Sequence, residues 1–225
     1  MSLEIKKSSR RRFLAVGSGA VGGLLAATNF DIQSAYAQEK PYVIALHGYN
    51  GTTESGFIGS LSSFLTEQNI PYETPLLPGG LQPNREEWES IIRDRIYNSP
   101  RKPILVAYSL SVIAALGALS QKNIEVAKLS TVSGRKIRPS LPVEFPDTLT
   151  DFYGGGANVD QIRRNASDRL VVHSRDDTVV RFEGNAQQLA EQLEARTYFV
   201  DGMGHFDQSV PNWLVDQYSR RIALT

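Results

Sequence analysis

The sequence predicts an α/β fold, a mainly parallel sheet with helices on both faces. Three observations point to it. From residue 42 onward, short apolar runs of strand length alternate with longer segments of helical periodicity. The run Ile104-Leu105-Val106-Ala107-Tyr108 climbs straight to Ser109, and the helix-forming stretch Val112 to Leu119 follows at once. No repeat or linker interrupts the rhythm, and 41% hydrophobic with 21% charged residues suits one globular domain with a sizeable core. Strands joined through helices run parallel, and a parallel sheet needs cover on both faces.

Residues 1–37 are expected to lie outside that domain. Ser9-Arg10-Arg11-Arg12-Phe13-Leu14 resembles the twin-arginine export signal. A charge-free, glycine-rich run from Ala15 to Ala27 follows, too short and too rich in glycine for a stable transmembrane helix. Ala35-Tyr36-Ala37 is a small-x-small site of the kind signal peptidase cuts, leaving Gln38 first. The resemblance implies the twin-arginine export machinery as a partner, a bacterial periplasmic or secreted destination, and no stable membrane span after cleavage. The whole chain carries 24 basic and 24 acidic residues; without the leader's five and two, 19 and 22 remain, a net charge of −3. That balance gives no reason to expect a nucleic-acid partner.

The domain, residues 38–225, is expected to unfold in order as follows. Tyr42 to Leu46 is a strand ending at His47-Gly48-Tyr49. Gly56 to Gln68 carries Phe57, Ile58, Leu61, Phe64 and Leu65 at helical spacing. Tyr72 to Leu77 reads as a strand broken by Pro78. Asn84 caps a helix faced by Trp88, Ile91, Ile92 and Ile96, with Glu87 three residues past the cap. Ile104 to Tyr108 and the following helix form the strand–turn–helix around Ser109. Val126 to Val132 is the next strand, and the proline-rich stretch Arg135 to Asp147 a loop. A helix over Val159 to Asn165, a strand over Leu170 to His173, a helix over Gly184 to Leu193 and a strand over Thr197 to Val200 come next. A helix over Pro211 to Ile222, with Trp213, Leu214 and Tyr218 on one face, ends the chain.

In open parallel sheets, functional groups gather beyond the C-terminal strand ends. Those ends offer Ser109, the pair Asp176-Asp177, and His205 within Gly202-Met203-Gly204-His205-Phe206. The order Ser…Asp…His is that of the hydrolase triad. Each type has a task. A serine hydroxyl is a poor nucleophile until an imidazole takes its proton. A carboxylate on the other imidazole nitrogen fixes the tautomer. Backbone N–H groups must meet the oxyanion, here those of Leu110, directly after the serine, and Tyr49, in the loop after the first strand. With no cysteine and three histidines, thiolate metal sites and disulfides are excluded and a histidine-rich metal cluster is not expected. The chemistry calls for no cofactor and no metal.

Together, His47-Gly48-Tyr49, Glu87-Trp88, Tyr108-Ser109-Leu110, Val132-Ser133, His173-Ser174-Arg175-Asp176-Asp177 and Gly204-His205-Phe206 resemble the small serine hydrolases of the α/β-hydrolase superfamily related to retinoblastoma-binding protein nine and the YdeN group. The resemblance implies a minimal α/β-hydrolase fold without a separate cap domain. It also implies a Ser109-Asp177-His205 triad working through an acyl-enzyme, and a carboxylesterase-type activity on small or exposed acyl substrates; the alternatives are a catalytically idle binding protein on the same fold, or a peptidase or acyltransferase. The family register places the orienting carboxylate at Asp177, where Asp177-Thr178-Val179-Val180-Arg181 fits with Arg181 in a proline's place; Asp176 is the alternative. His47 and His173 are expected to be structural, Trp88 to pack a helix, and Arg135, Lys136 and Arg138 to lie in a solvated loop. Ala107, Tyr108 and Ser111 depart from the family's usual elbow residues and are expected to crowd the turn.

Overall fold

The structure, a computed structural model, describes residues 40–137, 149–154 and 156–224. The proposed leader and Arg138 lie outside them. The elements are β1 (Val43–Leu46), α1 (Gly56–Glu67), β2 (Tyr72–Glu73), α2 (Arg85–Asn98), β3 (Ile104–Tyr108), α3 (Ser111–Leu119) and β4 (Val126–Val132). They continue with α4 (Thr150–Gly154), α5 (Val159–Asn165), β5 (Ala166–Ser174), α6 (Ala186–Leu193), β6 (Arg196–Val200) and α7 (Asn212–Arg221). The strands form one sheet in the order β2-β1-β3-β4-β5-β6, and every pairing is parallel. This is the α/β architecture that the alternating pattern predicts, and no cap domain stands over it among the described residues.

The two-residue period of the strands divides the core into two layers. Val43 and Ala45 of β1, with Ile104, Val106 and Tyr108 of β3, face α1 and α7, meeting Phe57, Leu61, Leu214 and Tyr218. Ile44, Leu46, Leu105 and Ala107 face the opposite way, onto Trp88 and Ile92 of α2 and Ala115 and Leu119 of α3. Ser55 caps α1 without a side-chain hydrogen bond, a loss of about 1 kcal/mol. Burial of Phe57, Ile58, Leu61 and Leu65, at about 1.5–3 kcal/mol each, decides the matter in favour of the helix. Asn84 caps α2 as its position predicts, accepting from the Glu87 N–H at 2.9 Å.

Three expectations need correction. β2 stops at Glu73 instead of reaching Leu77; Pro75 has no N–H to give a ladder. β5 begins at Ala166, earlier than its apolar part. Its polar start is held by Asp168, which pairs with Lys128 at 3.0 Å and Arg196 at 2.7 Å across neighbouring strands. Trp213 does not share a face with Leu214 and Tyr218: it is 55% exposed, while they are buried. Adjacent helical positions differ by about 100°, and Val215 and Ile222 complete the buried stripe instead.

Candidate active site

β1, β3, β5 and β6 all end on one rim of the sheet, and each end delivers part of the site. Register aligns Tyr108 with Val132, Val132 with Val172, and Ser174 with Val200. Ser109 follows β3 with φ of +56°, the left-handed region that costs a residue with a Cβ about 1–2 kcal/mol. The turn is held there by the Ser109 N–H, which donates to the Val132 carbonyl at 2.9 Å. It is also held by Ser111, whose Oγ accepts from the Tyr108 N–H at 3.0 Å and lies 2.9 Å from the Tyr108 carbonyl and 3.1 Å from that of Leu46. Ser111 therefore stitches the elbow to β1 and does not crowd it. The close approach is absorbed by Gly48, where a Cβ would stand 2.8 Å from the Ser109 Cβ.

Ser109 Oγ lies 2.8 Å from His205 Nε2, and His205 Nδ1 lies 2.9 Å from Asp177 Oδ2. Donation of Nδ1–H to the carboxylate leaves Nε2 as the acceptor for the serine hydroxyl. Asp177 is buried and well satisfied. Its Oδ1 accepts from the Val179 and Val180 N–H groups at 2.9 and 2.8 Å, and His173 Nε2 is 3.3 Å from Oδ2. Burial alone pushes this carboxyl up, but hydrogen bonds from His173, His205 and Val180 outweigh it and hold Asp177 far below the usual carboxylate range. It is ionised wherever the protein is folded near neutrality.

Asp176, the alternative, points away from His205. Its Oδ1 accepts from Ser174 Oγ at 2.5 Å and the Gly202 N–H at 3.0 Å, and its Oδ2 is 3.3 Å from the Gly204 N–H. It braces the glycine turn that carries the histidine. His173 donates from Nε2 to the Val180 carbonyl at 2.7 Å and so packs beneath the Asp177 loop. Tyr49 and Leu110 both border the hollow beside Ser109, and Leu110 precedes α3, so its N–H sits at the positive end of that helix.

His47 supports the same rim. Its Nε2 accepts from the Leu77 N–H at 3.0 Å, and Nδ1 lies 2.9 Å from the Gly48 carbonyl. Burial pushes this imidazole below its ordinary value, against a weaker upward pull from that carbonyl. The consequence for stability has a definite sign. Above about pH 6.5 His47 is neutral in both states. Below it, the unfolded chain binds a proton that the folded chain refuses, so stability falls with acid by up to about 1.4 kcal/mol per pH unit until the folded group titrates. Denaturant midpoints measured from pH 7 to pH 5 should fall in the wild type, and His47→Gln should flatten that slope. An unchanged slope would place the acid lability elsewhere.

Two residues take on roles that sequence pattern does not assign them. Tyr108, a departure from the usual elbow, sends its hydroxyl to the His205 carbonyl and to Asp207 Oδ1, both at 2.8 Å. Its ring centre lies 5.4 Å from that of His205. Burial and the neighbouring Asp207 push the phenol up, so it remains a donor. A tyrosine before Ser109 and an aspartate two residues past His205 are the available signal, but only the fold puts them together. Tyr108→Phe keeps the ring and removes the tether. The expected outcome is a kcat about tenfold lower, with stability reduced by about 1 kcal/mol. Loss of stability with kcat unchanged would leave Tyr108 a purely structural role.

Arg135 corrects the expectation of a solvated loop. It is half-buried and borders the hollow at Ser109, with its guanidinium 5.3 Å from the Tyr153 ring centre. The segment is drawn down by Ile137, which is buried and exchanges hydrogen bonds with the Gln192 amide at 2.8 and 3.2 Å. Lys136 instead reaches Gln188 Oε1 at 2.8 Å. Trp88 packs as expected, edge-on to Phe152 at 5.2 Å, and donates to the Pro78 carbonyl at 2.7 Å. Among the described residues no cluster of His, Asp and Glu is placed to hold a metal ion, and no helix is long and apolar enough to cross a membrane.

The chain has relatives. A family model described as serine hydrolase matches residues 43–211. The chain is similar to YdeN of Bacillus subtilis (strain 168), with 28% identity over 167 residues that cover 73% of this chain and 85% of YdeN. The crystal structure of the ydeN gene product aligns with TM-score 0.70 at 27% identity, over 81% of this chain and 99% of that one. Est1E from Butyrivibrio proteoclasticus aligns with TM-score 0.63 at 14% identity, over 82% and 89% of the two chains, a likeness of fold.

Proposed function

Because the chain belongs to the serine hydrolase family, we propose that this hydrolase cleaves carboxylic esters through an acyl-enzyme on Ser109. His205 serves as base and then acid, and Asp177 orients it. The observation that carries this reading is the unbroken line from Ser109 Oγ to His205 Nε2 at 2.8 Å and from His205 Nδ1 to Asp177 at 2.9 Å. In the first half-reaction Oγ attacks the acyl carbon while Nε2 takes its proton. The N–H groups of Tyr49 and Leu110 meet the oxygen that becomes negative. Collapse expels the alcohol, which leaves with the proton from Nε2. Water then repeats the sequence on the acyl-enzyme and releases the acid. The absence of a cap among the described residues leaves the site open to small or surface-presented acyl groups. A fluorophosphonate probe should label Ser109 in the wild type at near-neutral pH, and absence of labelling would sink the proposal.

The leader completes the proposal. Residues 1–37 direct export through the twin-arginine machinery to a periplasmic or secreted destination, and cleavage after Ala37 leaves Gln38 first. The signal order in the sequence supports this, and so does the position of every site residue downstream of β1, so that cleavage removes none of the machinery. N-terminal sequencing of protein from fractionated cells should return Gln38 outside the cytoplasm. An intact Met1 confined to the cytoplasm would overturn it.

A further inference from the structure

Ser109 stands between two unlike hollows. One, of about 150 Å³, is walled chiefly by Leu110, Ile113, Leu149, Tyr153 and Val180. Its charged member, Arg135, lies with its guanidinium against the Tyr153 ring. The other, of about 340 Å³, is bordered by Asn50, Ser55, Tyr108, His205 and Asp207 together with glycine backbone at Gly48 and Gly51. Ser109, Tyr49 and Val179 border both.

The reaction decides which half of an ester enters which hollow. The departing oxygen must collect its proton from His205 Nε2, so the alcohol leaves on the side that His205 borders, the one with the larger polar share in its lining. The oxyanion must face the Leu110 N–H, and the acyl carbon must stay within reach of Ser109 Oγ. The remaining substituent of that carbon, the acyl chain, is then directed into the hollow that Leu110 borders and His205 does not. Resting on the triad reading above, we propose that the substrate is an ester of a compact apolar acid with a polar, hydroxyl-bearing alcohol.

The size of the acid follows from the cavity. An apolar space of about 150 Å³ accepts one benzene ring, or about six carbons. Longer chains must bend out over the rim, where each further methylene stays in water and gains no burial. On the other side, the Asn50 amide and the Asp207 carboxylate border the hollow, with Asp207 Oδ1 accepting from Tyr108 and the Ser55 hydroxyl paired with Thr52; an alkyl alcohol would strip the remaining polar atoms of water without return. The overall reaction consumes one water. The acyl C–O bond breaks, the acid takes the water's oxygen, and the alcohol departs with a proton.

Two series test the assignment on the purified full chain, with fluorophosphonate labelling of Ser109 followed in parallel. In the first, p-nitrophenyl acetate, butyrate, benzoate, monosuccinate and decanoate are compared. Butyrate and benzoate should exceed acetate about tenfold in kcat/KM, and decanoate should fall back about tenfold. Ile113→Trp, which fills the apolar hollow, should lower the benzoate-to-acetate ratio about tenfold, a ratio insensitive to the fraction of protein folded. In the second series, the butyrate ester of glycerol should surpass that of hexanol about fivefold to tenfold. Labelled enzyme that prefers decanoate, monosuccinate or the hexyl ester would overturn this substrate class while leaving the hydrolase reading intact. Enzyme that neither labels nor turns over any ester would overturn both.

Discussion

Ser109→Ala is expected to fold normally and lose ester hydrolysis by about 10⁴-fold or more, together with all fluorophosphonate labelling. The substitution removes one oxygen from a turn whose supports lie elsewhere. The bond from the Ser109 N–H to the Val132 carbonyl is backbone and survives, as do the three contacts of Ser111 Oγ with Tyr108 and Leu46. His205 keeps its bond to Asp177, so what is lost is the proposed nucleophile and not the geometry around it. Alanine also keeps the Cβ that makes φ of +56° costly. Ser109→Gly should be equally inactive yet more stable than Ser109→Ala by about 1 kcal/mol, because glycine adopts that region freely. Denaturant unfolding of the two variants measures the strain held at Ser109. Retained hydrolysis in either variant would show that the reaction runs elsewhere.

Asp177→Asn should cost about 10⁴-fold in kcat, and Asp176→Asn less than about fivefold, since an amide oxygen still accepts from the glycine turn. At Asp177 the exchange reverses the polarity of the contact with His205. An amide that donates to Nδ1 leaves the ring proton on Nε2, where it opposes the Ser109 hydroxyl and accepts nothing from it. The Val179 and Val180 N–H groups can keep an acceptor in the oxygen of that amide, so the loop is held while the tautomer is lost. At Asp176 the partners are Ser174, Gly202 and Gly204. Asp176→Ala should therefore act through the placement of His205, lowering kcat about tenfold without changing which atoms react. Steady-state kinetics on one ester decide between the neighbours. The reverse ranking would move the orienting role to Asp176.

Much of this arrangement is legible in the sequence because it follows from local pattern. The apolar runs at Val43, Ile104, Val126 and Thr197 have strand length and strong β formers, and each becomes a strand on the predicted side of the turn that follows. Asn84 with Glu87 announces its helix through capping chemistry alone. What pattern cannot supply is contact between distant segments. Nothing near Tyr108 says that its hydroxyl will meet Asp207, 99 positions away. Nothing in the loop after β4 says that Ile137 will draw Arg135 into the hollow by pairing with Gln192, 55 positions on. α4 is likewise invisible: Thr150–Gly154 has five residues, too few for a helical period to declare itself. Asp176 and Asp177 are separable in the sequence only through the register of a family pattern, since both lie beyond the same strand and both are acids. The structure distinguishes them by direction, one towards His205 and the other towards the glycine turn.

Between Ser109 and His205 lie three ladders: β3 with β4, β4 with β5, and β5 with β6. A slip of one residue in any of them would displace a strand end by about 3.3 Å, more than the whole separation of 2.8 Å between Ser109 Oγ and His205 Nε2. On the proposed triad, hydrolysis is therefore a register assay. In a refolded sample, circular dichroism counts every chain that has regained helices and strands, whereas turnover counts those in which all three ladders are in step.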